Sequence, residues 1–122
     1  MKKMMTRHFF KWAKKRDISI RELSKAIDEI ISGQFEANLG GHIIKKRIRF
    51  KGKGKSKSGR TIICYKTDDR AIFIHGFSKN EKLNLSPKEL KAFKELSKVL
   101  IGLSIKQIDI AVKNGDFIEV II

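Results

Sequence analysis

The residues best suited to chemistry in this sequence are cations concentrated near the middle of the chain. Residues 43–60 carry nine basic side chains: Lys45, Lys46, Arg47, Arg49, Lys51, Lys53, Lys55, Lys57 and Arg60. No acidic residue occurs from position 37 to position 67. Because like charges repel at this density, the stretch predicts an external polyanion as its partner, and the regularly spaced phosphates of a nucleic acid fit best.

The most basic part of this stretch, RFKGKGKSKSGRT, lies between two predicted strands. At residues 43–50 apolar side chains alternate with cations, as in a half-buried strand, and Lys46 is the one cation on the apolar side. A second strand is predicted at residues 61–66. The stretch therefore predicts a hairpin in which Lys45, Arg47 and Arg49 form a rigid outward row. The lysines of its tip are expected to be mobile phosphate contacts. The alternative is a solvated basic hairpin that only aids solubility.

Other kinds of site find little support in the sequence. GKGKSKSG lacks the spacing of a Walker-type phosphate loop and does not open a helix. One cysteine and three scattered histidines do not form a zinc ligand set, so we expect no metal or other cofactor. Any chemistry must come from the cations and from His75, which strand alternation places beside Phe73 and Phe77. A purely structural role for His75 is the alternative.

The other predicted elements suggest an α+β fold. Ser19 and Ser86 each stand three residues before a glutamate, which is the spacing of a helix capping box. Helices are predicted at residues 6–16, from Ser19 to about Gly33, from Ser86 onward, and at residues 104–113. Strands are predicted at residues 43–50, 61–66, 71–78 and 117–122. The expected architecture is two N-terminal helices, an antiparallel sheet of three to four strands and C-terminal helices, in one domain of residues 1–122.

The whole-chain composition limits the possible partners. A net charge of +15 on 122 residues favours nucleic acid, and no apolar run approaches the roughly 20 residues that span a bilayer, so we expect no membrane partner. The lone Cys64 is predicted to be a small buried strand residue. A single cysteine, which cannot form an internal disulfide, fits a cytoplasmic protein.

Four segments in this order resemble a known family: LGGHIIKKRIR, KGKSKSGRTIICYK, DDRAIFIHGFSKNEK and LSPKELKAFKELS. They are similar to the RelE and HigB toxins of bacterial toxin–antitoxin pairs, and most of all to a phage-related branch. The resemblance covers about residues 8 to 103. It implies a RelE-like fold and a metal-independent endoribonuclease that cleaves mRNA on translating ribosomes. It also implies attack by the 2′-hydroxyl of the RNA, and a cognate antitoxin as partner.

The resemblance also implies site residues. Lys45 and Arg47 match the basic pair of the first sheet strand, Arg60 matches the arginine that opens the second, and Lys79 with Lys82 occupies the basic patch after the third. Arg60 is the expected phosphate clamp, because a guanidinium can hold two phosphate oxygens at once. With His75, these give the predicted catalytic set of Lys45, Arg47, Arg60, His75 and Lys79. The predicted RNA contacts are Lys46, Arg49, Lys51, Lys53, Lys55, Lys57 and Lys82.

The sequence departs from the family pattern in one respect that leaves two alternatives open. The tyrosine or histidine expected soon after the third strand is replaced by LNLS at residues 83–86, so that His75 or a lysine would have to substitute. One alternative is a non-catalytic protein that binds RNA or DNA through the same basic surface. The other is a toxin of the related gyrase-poisoning ParE branch, which shares the scaffold without cleaving RNA.

Overall fold

The computed structural model describes residues 1–50, 58–78 and 84–122. Their elements are β1 (Lys2–Thr6), α1 (Arg7–Lys15), α2 (Ile20–Ile31), β2 (Ala37–Gly40), β3 (Ile43–Arg49), β4 (Ser58–Lys66), β5 (Arg70–Ser78), α3 (Pro87–Gly102), α4 (Ile105–Lys113) and β6 (Phe117–Glu119). The fold is α+β, as predicted, with helices before and after a central antiparallel hairpin system. The predicted helices and the four predicted strands are all present.

Local side-chain chemistry sets the helix ends. Each helix of the described residues begins after a Thr or Ser whose side-chain oxygen accepts a hydrogen bond from the backbone amide three residues on: Thr6, Ser19, Ser86 and Ser104. After Ser86 the carboxylate of Glu89 also accepts from the Ser86 backbone N–H, which completes the capping box. Helix α2 ends at Ser32 and Gly33, where the chain adopts φ +89°.

The strands form one sheet in the order β2-β3-β4-β5-β1-β6. Strands β3, β4 and β5 make the predicted antiparallel meander. The sheet is larger than expected because β1 and β2 were not predicted. Strand β1 runs parallel to β5 in the interior and buries both Met4 and Met5, so it lacks the alternation of a half-buried strand. Strand β2, ANLG, is short and contains residues of low strand propensity.

The sheet separates two apolar cores. Helices α1 and α2 cover one face, where the buried strand residues include Met5, Ile44, Ile48, Ile63 and Phe73. Helices α3 and α4 cover the other face, where they include Met4, Ile43, Ile62, Cys64 and Ile72. Cys64 is fully buried, as predicted, and this burial raises the pKa of its thiol.

A register shift between β4 and β5 corrects the predicted surroundings of His75. His75 lies opposite Ile62, whereas the next pair joins Ile63 to Phe73, so that β5 carries one extra residue. Strict alternation would have placed Phe73, His75 and Phe77 on one face. Because of the bulge, Phe73 lies in the core under α1 and α2, while the rings of His75 and Phe77 are neighbours on the α3 side.

Gly76, on the α1 side of β5, allows a large side chain to approach the sheet. A Cβ built at this position would lie 2.3 Å from the ring of Trp12 in α1. The Trp12 ring also meets Phe50 edge-on at a centroid distance of 5.7 Å. Helix α1 therefore packs against the middle of β5 through a contact that only glycine permits.

Candidate active site

Four of the predicted site residues come together on the face of the β3–β5 meander that also carries α3. Arg47 lies directly opposite Arg60 in the β3–β4 pairing. In the adjacent row, Lys45 and His75 lie on either side of one residue of β4. Neighbouring strands are about 4.8 Å apart, so the Cα atoms of Lys45 and His75 are separated by roughly 10 Å. We refer to Lys45, Arg47, Arg60 and His75, together with Glu36, as the candidate site.

Glu36 brings a carboxylate into this group of cations. Its Oε1 lies 2.6 Å from Nε of Arg60, and its Oε2 lies 3.7 Å from Nζ of Lys45. The backbone N–H of Glu36 donates to the carbonyl of Lys45, which extends the pairing of β2 and β3 by one residue. The side chains of Lys45 and Arg60 are only 17% and 15% exposed, so the two ion pairs are partly shielded from solvent.

The contribution of Glu36 was not anticipated from the sequence, because it depends on β2. The basic stretch contains no acid of its own, and Glu36 lies just before it. The Gly-Gly pair at residues 40 and 41 was the available signal in the sequence. In the structure both glycines have positive φ and form the turn that folds residues 36–40 back onto β3.

The remaining polar groups of the site differ in how firmly they are held. Nζ of Lys45 also donates to Oδ1 of Asn84 at 2.9 Å, just before α3. Arg47 is exposed and makes no side-chain hydrogen bond or ion pair within the described parts of the chain. Lys45 and Arg60 are thus fixed by partners, whereas Arg47 can turn toward an incoming anion.

His75 lies on β5, so that the strand carrying Arg60 separates it from Glu36, and its imidazole lies near aromatic rings. Its ring centroid lies 4.8 Å from that of Phe93 in α3 and 6.2 Å from that of Phe77. Its Nδ1 lies 3.1 Å from Nε2 of His8, in the first turn of α1. His75 is half-buried and His8 is exposed. No local pattern in the sequence links these two histidines, which are 67 residues apart.

Two of the predicted RNA contacts lie apart from the candidate site. Lys46 is on the opposite face of β3, where its Nζ donates to the carbonyl of Gln34 and lies 3.2 Å from the carboxylate of Glu29. Arg49 borders a cavity of about 290 Å³ together with Asp17, near the start of α2. Lys46 therefore does not join the row formed by the other cations, whereas Arg49 lies two residues beyond Arg47, at the end of β3.

The other predicted site residues, catalytic Lys79 and five RNA contacts, lie outside the described residues. These are the loop lysines Lys51, Lys53, Lys55 and Lys57 and the pair after β5, Lys79 and Lys82. The flanks of the loop are described, and they agree with the predicted hairpin, because Arg49 of β3 pairs with Ser58 of β4.

The described residues contain no group of three or more His, Cys, Asp or Glu side chains placed to hold a metal ion. Within the same ranges, no helix has both the length and the apolar character needed to cross a membrane. What the candidate site does contain is a carboxylate, an imidazole and three cations. These groups can take up a proton, deliver a proton and stabilise negative charge on a phosphate.

A comparison with protein families agrees with this description. A family model described as the RelE toxin of the RelE/RelB toxin–antitoxin system matches residues 1–120. The match covers all six strands and four helices given above, including the strands of the candidate site. No protein of curated function matches the chain.

Proposed function

Because this chain belongs to the RelE toxin family of toxin–antitoxin systems, we propose that it is a metal-independent endoribonuclease that cleaves mRNA on translating ribosomes. Within the family, the motifs of the sequence favour a HigB-like, phage-related branch. A cognate antitoxin is the expected protein partner, and the net charge of +15 favours an acidic one. The main support is that the ion pair of Arg60 with Glu36 lies on the same face of the sheet as His75, which is on the neighbouring strand β5.

The arginines are suited to hold the phosphate that is cleaved. Arg60 and Arg47 lie opposite each other on adjacent strands, so an anion above them can contact both guanidinium groups. A guanidinium stays charged at any physiological pH and presents several N–H donors in one plane. In the proposed reaction these donors stabilise the charge that develops on the non-bridging oxygens as the phosphorane forms.

Glu36 is suited to activate the nucleophile. Its carboxylate lies beside both Arg60 and Lys45, within reach of an RNA ribose whose phosphate is bound at the arginines. In the proposed step, Glu36 accepts the proton of the 2′-hydroxyl while the 2′-oxygen forms a bond to phosphorus. Lys45 adds a positive charge close to the reacting groups.

His75 is suited to complete the reaction as the acid. It lies on β5, whereas Glu36 precedes β2, and Arg60 lies on β4 between these strands. In the proposed complex, base and acid lie on opposite sides of the phosphate held at Arg60, as in-line displacement requires. The protonated imidazole donates its proton to the 5′-oxygen as the P–O5′ bond breaks. The products are a 2′,3′-cyclic phosphate and a 5′-hydroxyl end, and solvent restores both protonation states.

Primer extension on a reporter mRNA in a translating extract tests this function. We expect discrete cuts with the wild-type protein, and none with Arg60→Ala or with Lys45→Ala combined with Arg47→Ala. Lys106→Ala is a matched control, because it removes one exposed cation from α4, on a different element from the site. Cuts should be absent when ribosomes are stalled before initiation. In the active extract, the downstream RNA fragments made by the wild-type protein should carry 5′-hydroxyl groups.

Other results would favour the alternatives. Intact mRNA while translation continues would leave a non-catalytic RNA- or DNA-binding protein as the better account. DNA breaks on expression in cells, without arrest of translation, would instead favour the gyrase-poisoning branch. Cuts that persist in the Arg60→Ala protein would show that the candidate site does not perform the reaction.

A further inference from the structure

The histidine pair at the edge of the candidate site has an unusual relative orientation. The ring centroids of His8 and His75 are 5.3 Å apart, and the ring planes differ by only 6°. The facing nitrogens, Nε2 of His8 and Nδ1 of His75, are 3.1 Å apart. When the distance from each nitrogen to the centre of its own ring is added to this value, the sum matches the centroid separation. Both nitrogens therefore lie on the line between the centroids. The rings must be edge to edge in one plane rather than stacked face to face.

This geometry is that of a straight N–H···N hydrogen bond. Such a bond holds one proton, so that one imidazole donates and the other accepts. The position of His8 helps to assign these roles, because it lies in the first turn of α1 (Arg7–Lys15). The N-terminal end of a helix disfavours additional positive charge. His8 is therefore the better acceptor, and His75 the better carrier of the shared proton.

Both rings are held by rigid elements. Helix α1 begins directly after β1, and the Thr6 side chain caps it by accepting from the backbone N–H of Phe9. The ring of Phe9 packs on that of Phe73 in β5 at a centroid distance of 4.8 Å. This contact fixes the first turn of α1 against the strand that carries His75. The separation of the two histidines is thus set by buried packing rather than by flexible side chains alone.

We propose that His8 is a positioning residue that acts through His75. Its Nε2 accepts the Nδ1–H of His75, so that Nε2 of His75 is the nitrogen that carries and releases the transferable proton. This inference rests on the proposed ribonuclease function. When the P–O5′ bond breaks, the proton on Nε2 passes to the leaving oxygen, and the neutral His75 keeps its Nδ1–H bonded to His8. His8 stabilises the imidazolium before transfer and fixes its orientation, as the buried carboxylate does in a catalytic triad.

Nuclear magnetic resonance can test the hydrogen bond without any cleavage assay. Long-range ¹H–¹⁵N correlation spectra of the ¹⁵N-labelled protein distinguish protonated from unprotonated ring nitrogens. For neutral His75 we expect the proton on Nδ1 in the wild type and in His8→Gln, whose side-chain oxygen can replace the acceptor. In His8→Phe, which keeps a flat ring but offers no acceptor, we expect the proton on Nε2. An Nε2–H tautomer in the wild type would overturn the proposal, as would an unchanged tautomer in His8→Phe.

Cleavage rates test whether the bond serves the reaction. His75→Gln removes the acid and should reduce the rate about 10²- to 10⁴-fold. His8→Phe should reduce it about 10- to 100-fold, as is typical when a functional histidine loses its supporting partner. His8→Gln should stay within about threefold of wild type. In the double variant His8→Phe/His75→Gln, the rate should equal that of His75→Gln alone, because His8 acts only through His75.

The outcomes separate this inference from the proposed function. Wild-type cleavage that His8→Phe leaves unchanged, or rate losses that multiply in the double variant, would overturn the role of His8 while leaving the ribonuclease intact. A wild-type protein that cleaves no RNA would overturn both, even if the tautomer of His75 is as expected. Circular dichroism and thermal unfolding of each variant establish that a lost rate reflects the site rather than a failure to fold.

Discussion

Glu36 places a negative charge within a surface that the sequence describes as wholly basic. The nine cations of residues 43–60 could be read directly, because each belongs to one uninterrupted acid-free stretch. Glu36 and His8 could not, because their roles depend on contacts made by strand pairing and by the packing of α1. Sequence pattern thus identifies a concentration of charge along the chain, and misses single residues that strand pairing and helix packing bring to it.

Glu36→Gln should have opposite effects on cleavage and on binding. The amide cannot accept a proton, so the cleavage rate should fall about 10²- to 10⁴-fold. The same change removes a negative charge that competes with phosphate for Arg60 and Lys45, so binding should become tighter. Single-turnover cleavage measures the first effect, and fluorescence anisotropy with a 2′-O-methyl RNA, which cannot be cleaved, measures the second. Weaker binding by Glu36→Gln would contradict this account.

Arg60→Lys and Arg47→Lys should differ in severity although each keeps its charge. Arg60 uses Nε for Glu36 and needs its other donors for phosphate, which an ammonium group cannot reproduce. We expect the cleavage rate of Arg60→Lys to fall about 10²- to 10³-fold, in the range measured for the loss of one transition-state donor. Arg47 is exposed and has no partner in the described ranges, so Arg47→Lys is the control and should change the rate only a few-fold. Equal losses of cleavage rate in the two variants would argue against a specific role for the planar guanidinium donors of Arg60.

At the scale of elements, local chemistry and distant pairing determine different parts of the fold. Helix starts at Ser19, Ser86 and Ser104 follow from hydrogen bonds within four residues, and the sequence predicts them well. Strand β1 pairs with residues about 68 positions along the chain, whereas β2 pairs with the neighbouring β3 and the bulge in β5 lies within the β4–β5 hairpin. Short segments such as β1 and β2 have no period of their own to recognise, so the described residues form six strands where three to four were predicted.

Gly76→Ala should destabilise the protein by interfering with the packing of α1 on β5. The added methyl group would lie 2.3 Å from the Trp12 ring, which must then move within a filled core. Overpacking of this kind typically costs about 1–3 kcal/mol of unfolding free energy. Gly102→Ala is the control, because nothing lies within 4 Å of its Cβ position and alanine favours the helix end. Urea titration of the two variants should give a lower midpoint only for Gly76→Ala.

Arg70 ties the start of β5 to the end of α3, and this link should depend on pH. Its NH1 donates to the carbonyls of Leu100 and Leu103, and its Nε donates to the carboxylate of Asp69. The hydrogen bond from Arg70 lowers the pKa of Asp69 below its usual value of 3.8. A lowered folded-state pKa stabilises the protein above pH 3.8, and this stabilisation is lost as the pH falls through the folded-state pKa.

The Asp69→Asn protein should therefore lose less stability in acid than the wild type does. Thermal unfolding measured from pH 6 to pH 2.5 should show a smaller drop in Tm below about pH 4 for Asp69→Asn than for the wild type. At pH 6 the variant should be the less stable of the two proteins, because it lacks the ionised partner of Arg70. Parallel Tm curves over the whole range would show that this pair does not contribute to the acid dependence.

For the whole molecule, charge is the dominant property, and it should appear in the salt dependence of RNA binding. Each phosphate contact to a single strand contributes about −0.7 to the slope of log K against log salt concentration. Arg47→Ala should reduce the magnitude of the slope by about that amount, whereas Lys106→Ala should leave it unchanged. Anisotropy titrations of a short single-stranded RNA between 50 and 300 mM salt make the comparison, and identical slopes for the three proteins would exclude Arg47 as a phosphate contact.

The place of β1 in the sheet bears on how the protein is made. This strand comes first in the chain but lies between β5 and β6, pairing Lys2 with Arg70 and Met5 with Ile118. Contacts so distant along the chain are late and slow to form. During synthesis, β1 can acquire both neighbours only after residues 117–119 have left the ribosome. The sheet that carries the candidate site is therefore complete only once β6 has left the ribosome, and the proposed ribonuclease activity would be acquired only at that stage of synthesis.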